Sequence, residues 1–165
     1  MDHVMIKPIE TEEEINGMGY VLYKSWHETY TDLIDSSYLA GVTREKGTAK
    51  ARKQKNKALV AVENGRVIGF VGFGPYRDEE HSGINEIYAI YVLAQYHGKK
   101  VGYRLMNAAF EKLGNEKPIV LWVLKGNKNA ICFYEQYGFC LDGTEKNVVL
   151  GSEQTELRMT FQGRK

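Results

Sequence analysis

The chain has 165 residues, of which 43% are apolar and 26% charged, the balance of a folded globular domain rather than of a disordered segment. A net charge of +1 gives no bulk attraction to a polyanion, so no nucleic-acid partner is expected. No apolar run approaches the ~20 residues of a membrane-spanning helix, so no membrane association is expected either.

The segment Met1–Pro8 has no signal-peptide pattern, and Cys132 and Cys140 form neither a C-x-x-C pair nor a disulfide framework. A reduced, cytoplasmic setting is the expectation. Val4–Ile9 is short, apolar and carries Pro8 near its end, which suits a sheet edge. Thr11 with Glu14 three residues on is a capping-box signature. Ile15, Met18, Leu22, Trp26 and Tyr30 then recur at helical spacing, with Gly17 and Gly19 weakening the first turns. Asp35 or Ser36 caps a second short helix through Leu39. Arg44–Lys57 holds seven basic residues against Glu45 alone. That stretch reads either as a landing patch for a phosphate-rich ligand or as a solvated helix face. It lacks the interleaved aromatics that single-stranded nucleic acid needs.

Ala58–Val62 and Arg66–Phe73 are apolar strands joined by Asn64-Gly65, a strong hairpin signal. The acidic stretch Asp78, Glu79, Glu80 is the next turn, leading into a strand over Ile84–Leu93. After Leu93 glycines and lysines intervene at Gly98, Lys99, Lys100 and Gly102. Leu105, Met106, Ala109, Phe110 and Leu113 then share one helical face. Strand, glycine-containing turn, helix places unpartnered N–H groups at a helix start, a site able to hold phosphate. The same order also occurs in α/β domains that bind nothing there. Pro118–Leu124 is a further buried strand, so strand–helix–strand implies a parallel pair with a right-handed crossover. Ala130–Tyr137 is a short helix stopped at Gly138, and Phe139–Leu141, Asn147–Leu150 and Thr155–Phe161 close the sheet.

Three patterns follow one another: Glu86 at the head of its strand, H-G-K-K-V-G-Y at 97–103, and N-K-N-A-I-C-F-Y-E-Q-Y-G-F at 127–139. Together they resemble the GNAT superfamily of N-acetyltransferases, over nearly the whole chain in element order. Asn127, Ala130, Phe133, Tyr134, Gly138 and Phe139 match the spacing of that superfamily's second motif. The first motif departs from its pattern. Aligned from Val92, His97 stands where Gln or Arg is usual and Lys100 where the first glycine is usual, while Gly102 is kept.

The resemblance implies a mixed α/β fold in one domain over 1–165, with a central, mostly antiparallel twisted sheet, one splayed parallel strand pair and helices on both faces. It implies acetyl-CoA as co-substrate and no metal. The pantetheine arm would run along the backbone of Ile90, Tyr91 and Val92, with the Val92 amide polarising the thioester carbonyl. The turn of His97, Gly98, Lys99, Lys100, Val101, Gly102 and Tyr103 would hold the pyrophosphate, and Asn127, Ala130, Phe133 and Tyr134 would complete the cofactor wall. The acceptor would be a primary amine, polyamine-like or peptidyl, and relatives are often homodimers.

Glu86 lies where the superfamily's histone acetyltransferases carry a general base; a solvated strand end or an ion pair is the alternative. Tyr134 matches a tyrosine that protonates the leaving thiolate, or is a packed helix residue. Trp26, Tyr30 and Tyr38, with His27, Glu28, Asp32 and Asp35 nearby, would form the acceptor wall; Trp26 and Tyr30 also fit a buried stripe. Trp122 and the 151–157 segment are similar to bacterial polyamine acetyltransferases. A non-catalytic acyl-CoA-binding module and a transferase of longer acyl groups are competing readings. His27, His81 and His97 have no metal-ligand spacing, and there is no P-loop or G-x-S-x-G motif.

Overall fold

The computed structural model describes residues 3–78 and 83–163. Glu79, Glu80 and His81, named above, lie outside the described residues. The elements in order are β1 (Val4–Pro8), α1 (Glu12–Tyr30), α2 (Ser36–Ala40), α3 (Arg44–Gln54), β2 (Ala58–Glu63), β3 (Arg66–Pro75), β4 (Asn85–Val92), α4 (Val101–Leu113), β5 (Ile119–Leu124), α5 (Lys128–Tyr137), β6 (Phe139–Leu150) and β7 (Ser152–Phe161). Seven strands form one sheet in the order β1-β2-β3-β4-β5-β7-β6, and every neighbouring pair is antiparallel except β4–β5.

Local chemistry sets the element ends. The Thr11 hydroxyl accepts from the Glu14 amide at 3.1 Å while the Glu14 carboxylate takes the Thr11 amide, so the capping box forms. Asp35 caps α2 through the Ser37 amide at 2.8 Å. Asn64 (φ 50°) and Gly65 (φ 75°) both take the left-handed conformation that a two-residue hairpin turn needs.

Gly17 and Gly19 do not weaken α1. They are contact points. A Cβ on Gly19 would lie 2.5 Å from the Thr48 Cα, and one on Gly47 would lie 2.5 Å from the Gly19 carbonyl oxygen. Helices α1 and α3 therefore cross backbone to backbone, which fixes the basic 44–57 stretch as a helix docked on the fold.

Two packed layers cover the sheet. Helices α4 and α5 bury Val101, Leu105, Met106, Ala109, Tyr134 and Tyr137 with Ile87, Leu121 and Met159. Helices α1 and α3 bury Ile15, Met18, Leu22 and Ala51 with Val60, Phe70 and Leu93. One expectation is corrected. Phe139–Leu141 and Asn147–Leu150 are not separate strands but the two ends of β6, which pairs with β7 on both sides of a register shift between Leu141 and Glu145. An irregularity in one long edge strand interrupts its apolar pattern without breaking it. No helix among the described residues is long and apolar enough to cross a membrane.

Candidate active site

The parallel pair is short. Asn85, Glu86 and Ile87 face Ile119, Val120 and Leu121, and there the pairing stops. Beyond that point β4 stays with β3 as far as Val92, and β5 stays with β7 as far as Leu124. The two strands open into a notch. In the β3–β4 ladder the Leu93 amide donates to the Ile68 carbonyl at 3.0 Å. Bonded and non-bonded pairs alternate in an antiparallel ladder. Gly69–Val92 and Val71–Ile90 are therefore non-bonded pairs, and Ile90 and Val92 turn both main-chain polar groups toward the notch. The Val92 carbonyl accepts from the His97 ring at 2.7 Å.

A register shift in β4 opposite Gly72 and Phe73 makes Tyr88 an extra residue. It changes which face later residues take. Ile87 packs into the α4 layer with Ile90 and Val92, whereas Ala89 and Tyr91 pack into the α1 layer. Glu86 thereby faces the α1 side, where simple alternation would have put it with Ile90 and Val92.

At the notch mouth the chain turns through Gly98 (φ 77°) and Lys100 (φ 65°, ψ 14°) into α4. The position where the superfamily keeps glycine does require a left-handed backbone, and Lys100 adopts it at a cost of about 1 kcal/mol. The first amide taken within the helix is that of Arg104, on the Lys100 carbonyl at 3.0 Å. The N–H groups of Val101, Gly102 and Tyr103 have no intrahelical acceptor and lie at the positive end of the dipole. Gly102 keeps this start close to α5: a Cβ there would lie 3.3 Å from the Phe133 ring.

Asn127 caps α5, its Oδ1 accepting from the Ala130 amide at 3.2 Å. Its side-chain NH2 is left to donate, and it reaches Tyr30. The Tyr30 hydroxyl is 3.3 Å from that of Tyr91, which the Trp26 indole also contacts. Tyr134, buried beside them, makes no hydrogen bond through its hydroxyl among the described residues. Burial first, and the neighbouring Tyr30 second, push its pKa well above the ordinary tyrosine value. Burial likewise raises Tyr30 and Tyr91.

Trp26 and Tyr30 thus belong to a hydrogen-bonded group under the notch as well as to its wall. Tyr38 does not join them. It is exposed on α2 against Gly151 and does not line the cavity.

Glu86 is 1% exposed and does not line the cavity either. Its carboxylate is held by Arg77 from three atoms: the backbone N at 3.1 Å, Nε at 3.2 Å and Nη2 at 2.7 Å. The Arg77 guanidinium lies over the Tyr88 ring at 4.6 Å. A fork bonded to both carboxylate oxygens fixes the carboxylate in one place and orientation.

One cavity of about 1630 Å³ runs through the notch, lined from both layers. That exceeds the roughly 300–1,000 Å³ of a typical small-ligand pocket, which leaves room for two reactants end to end. It takes in Ile90, Tyr91, Val92, His97, Gly98, Lys100, Val101, Gly102, Tyr103, Asn127, Ala130, Phe133 and Tyr134, together with Trp26 and Tyr30. Lys99 is absent from the lining; its ammonium lies 5.5 Å from the Tyr96 ring. Ser25, Arg77, Lys146 and Glu156 also line the cavity and had no signal in the sequence pattern, while Lys50 and Gln54 line it from within the basic 44–57 stretch.

A sheet split at a parallel pair beside a left-handed turn and a helix start is a specific arrangement. The model of the acetyltransferase (GNAT) family matches residues 18–139. The chain belongs to the GNAT acetyltransferase family. It is 31% identical over 129 residues to an uncharacterized N-acetyltransferase of Bacillus subtilis, covering 76% of this chain and 74% of that protein. It is 26% identical over 145 residues to the spermidine N(1)-acetyltransferase of Thermoplasma acidophilum, covering 81% and 86%. The crystal structure of a T. acidophilum PaiA N-acetyltransferase in complex with coenzyme A shares this GNAT fold, with a TM-score of 0.72, 21% identity and coverage of 93% and 97%. The PH1933 protein of Pyrococcus horikoshii does so with a TM-score of 0.74, 20% identity and coverage of 98% and 99%.

Proposed function

We propose that this GNAT protein transfers an acetyl group from acetyl-CoA directly to a primary amine on a small molecule or a peptide. The observation that carries the reading is the notch, where main-chain groups of Ile90 and Val92 lie outside the β3–β4 ladder, next to the unpartnered amides of α4. The residues present fit the co-substrate. An amide-bearing arm can add to β4 as an extra strand would. The Val92 carbonyl, now on His97, marks where such an arm's N–H would bond. The amides of the Gly98–Tyr103 turn suit a pyrophosphate, and the exposed Lys99 and Lys100 add charge there.

Acetyl-CoA, when bound, supplies an activated thioester. The Val92 N–H, or that of Ile90 nearer the closed end of the notch, would donate to the carbonyl oxygen as charge develops on it. Asn127 would donate its side-chain NH2 to the arm while its oxygen stays on the α5 cap. Ala130 and Phe133 would wall the arm. Tyr134, kept protonated by burial, would give its proton to the leaving sulfur. A primary amine near pKa ~10.4 must lose a proton before it attacks. Glu86 would accept that proton through water, because its carboxylate lies behind Arg77 rather than on the cavity wall. The spermidine acetyltransferase relative supports an amine acceptor.

The test is thiol release from acetyl-CoA across polyamines, aminoglycosides, amino acids and peptides, with the product identified by mass. Saturable release with at least one amine class is expected. Tight acetyl-CoA binding with no release across the panel would instead favour a non-catalytic acyl-CoA-binding module. The three-point hold of Arg77 on Glu86 is the observation that speaks for that second reading.

A further inference from the structure

The acceptor side of the cavity carries a cation that nothing among the described residues balances. Arg77 spends Nε and Nη2 on Glu86 at 3.2 and 2.7 Å. Lys146 lies 3.7 Å from Glu156 and over the Trp122 ring at 4.1 Å. Lys50 lines the same cavity from α3 and has no hydrogen bond or ion pair among the described residues. Lys50 is exposed to solvent, with the cavity walls along its stem. Those walls first, and the Arg77 charge second, push its pKa below the ordinary lysine value. Lys50 is not free to swing away with its helix, because α3 is fixed on α1 at the Gly19–Gly47 crossing.

A second group also lacks a partner. Ser25 of α1 lines this cavity at 3% exposure, and its buried Oγ has no hydrogen-bond partner among the described residues. A helix serine commonly returns its hydroxyl to a carbonyl one turn back, and Ser25 does not. The acidic Glu28 sits near the other end, accepting from the Ala94 amide beside the cofactor turn.

We infer that Lys50, with the Ser25 hydroxyl in the same cavity, binds a carboxylate carried by the amine acceptor, so that the substrate class is an aminocarboxylate rather than a polyamine. This rests on the acetyltransferase reading above. Lys100 and Lys128 line the same cavity at the cofactor turn and at the start of α5, so on the acceptor side Lys50 offers one positive charge to one negative charge, and the Arg77 fork that would suit a phosphate dianion is already engaged by Glu86. A polyamine would bring a second ammonium toward Lys50 and Arg77, a like-charge placement that lowers affinity.

The experiment compares kcat/KM for α-amino acids and short and long ω-amino acids with that for their primary amides and, in the ω series, the diamines of equal length. The wild type is expected to prefer at least one acid over its amide by about 10- to 100-fold, the range of a hydrogen bond to a charged group. In Lys50→Met that ratio collapses to about one, Lys50→Arg restores most of it, and Lys50→Glu moves the preference to the diamine. Calorimetry of the preferred acid on each variant gives the same order without turnover, and acetyl-CoA affinity shows that the variants are folded. Equal rates on acids, amides and diamines, or a Lys50→Met loss shared by all three, would overturn the carboxylate assignment while leaving the acetyltransferase standing. No thiol release with any amine would overturn both.

Discussion

Replacing Tyr134 by Phe separates chemistry from packing in this protein. Tyr134 packs beside Tyr30 as a buried residue, and its hydroxyl makes no hydrogen bond among the described residues, so its removal strands no partner. The folded protein should change in stability by less than about 1 kcal/mol. If the hydroxyl is the proton donor to the leaving thiol, kcat should fall by about 10²–10⁴. That corresponds to about 3–5 kcal/mol of barrier. Acetyl-CoA affinity should stay within about twofold, since uniform binding is not what is lost. The assay is steady-state thiol release with calorimetry of acetyl-CoA on the same samples. Retained kcat, or loss of kcat and affinity together, would refute the assignment.

The raised pKa has a thermodynamic side. The folded state holds the protons of Tyr30, Tyr91 and Tyr134 more tightly than the unfolded chain does. The stability they contribute is complete below the unfolded value near ~10 and is lost as pH rises from there toward the higher folded values. Tyr134→Phe should therefore make the alkaline fall of unfolding free energy shallower than in the wild type.

Three further outcomes are expected. Glu86→Gln should lower kcat by about 10²-fold or more if Glu86 takes the amine proton; a raised acceptor KM with kcat intact would make Glu86 a positioning residue for Arg77. Lys100→Gly should stabilise the fold by about 1 kcal/mol by relieving the left-handed backbone, raising Tm by ~2–4 °C. A lowered Tm in a thermal melt would contradict that. Gly47→Val should destabilise by about 1–3 kcal/mol in urea titration, because its Cβ would meet the Gly19 carbonyl at 2.5 Å; an unchanged midpoint would mean that α3 slides freely on α1.

The sequence alone determined what depends on near neighbours. The capping box at Thr11 and Glu14, the Asn64-Gly65 hairpin, the period change after Gly102 and the short helix stopped at Gly138 are all local patterns, and the structure has each of them. Element order followed, and with it the parallel β4–β5 pair.

The tertiary structure alone decided what comes from distant segments. Tyr30, Tyr91 and the α5 pair Asn127 and Tyr134 converge from three parts of the chain. A bulge at Tyr88 turns Glu86 toward the α1 layer, where Arg77 holds its carboxylate. Lys50, one of seven basic residues in its stretch, reaches the cavity only because two glycines let α1 and α3 touch. Periodicity reports which side of an element is apolar; it carries no information on which distant side chain meets another across a packed interface, and an extra residue in a strand reverses its faces without altering its composition.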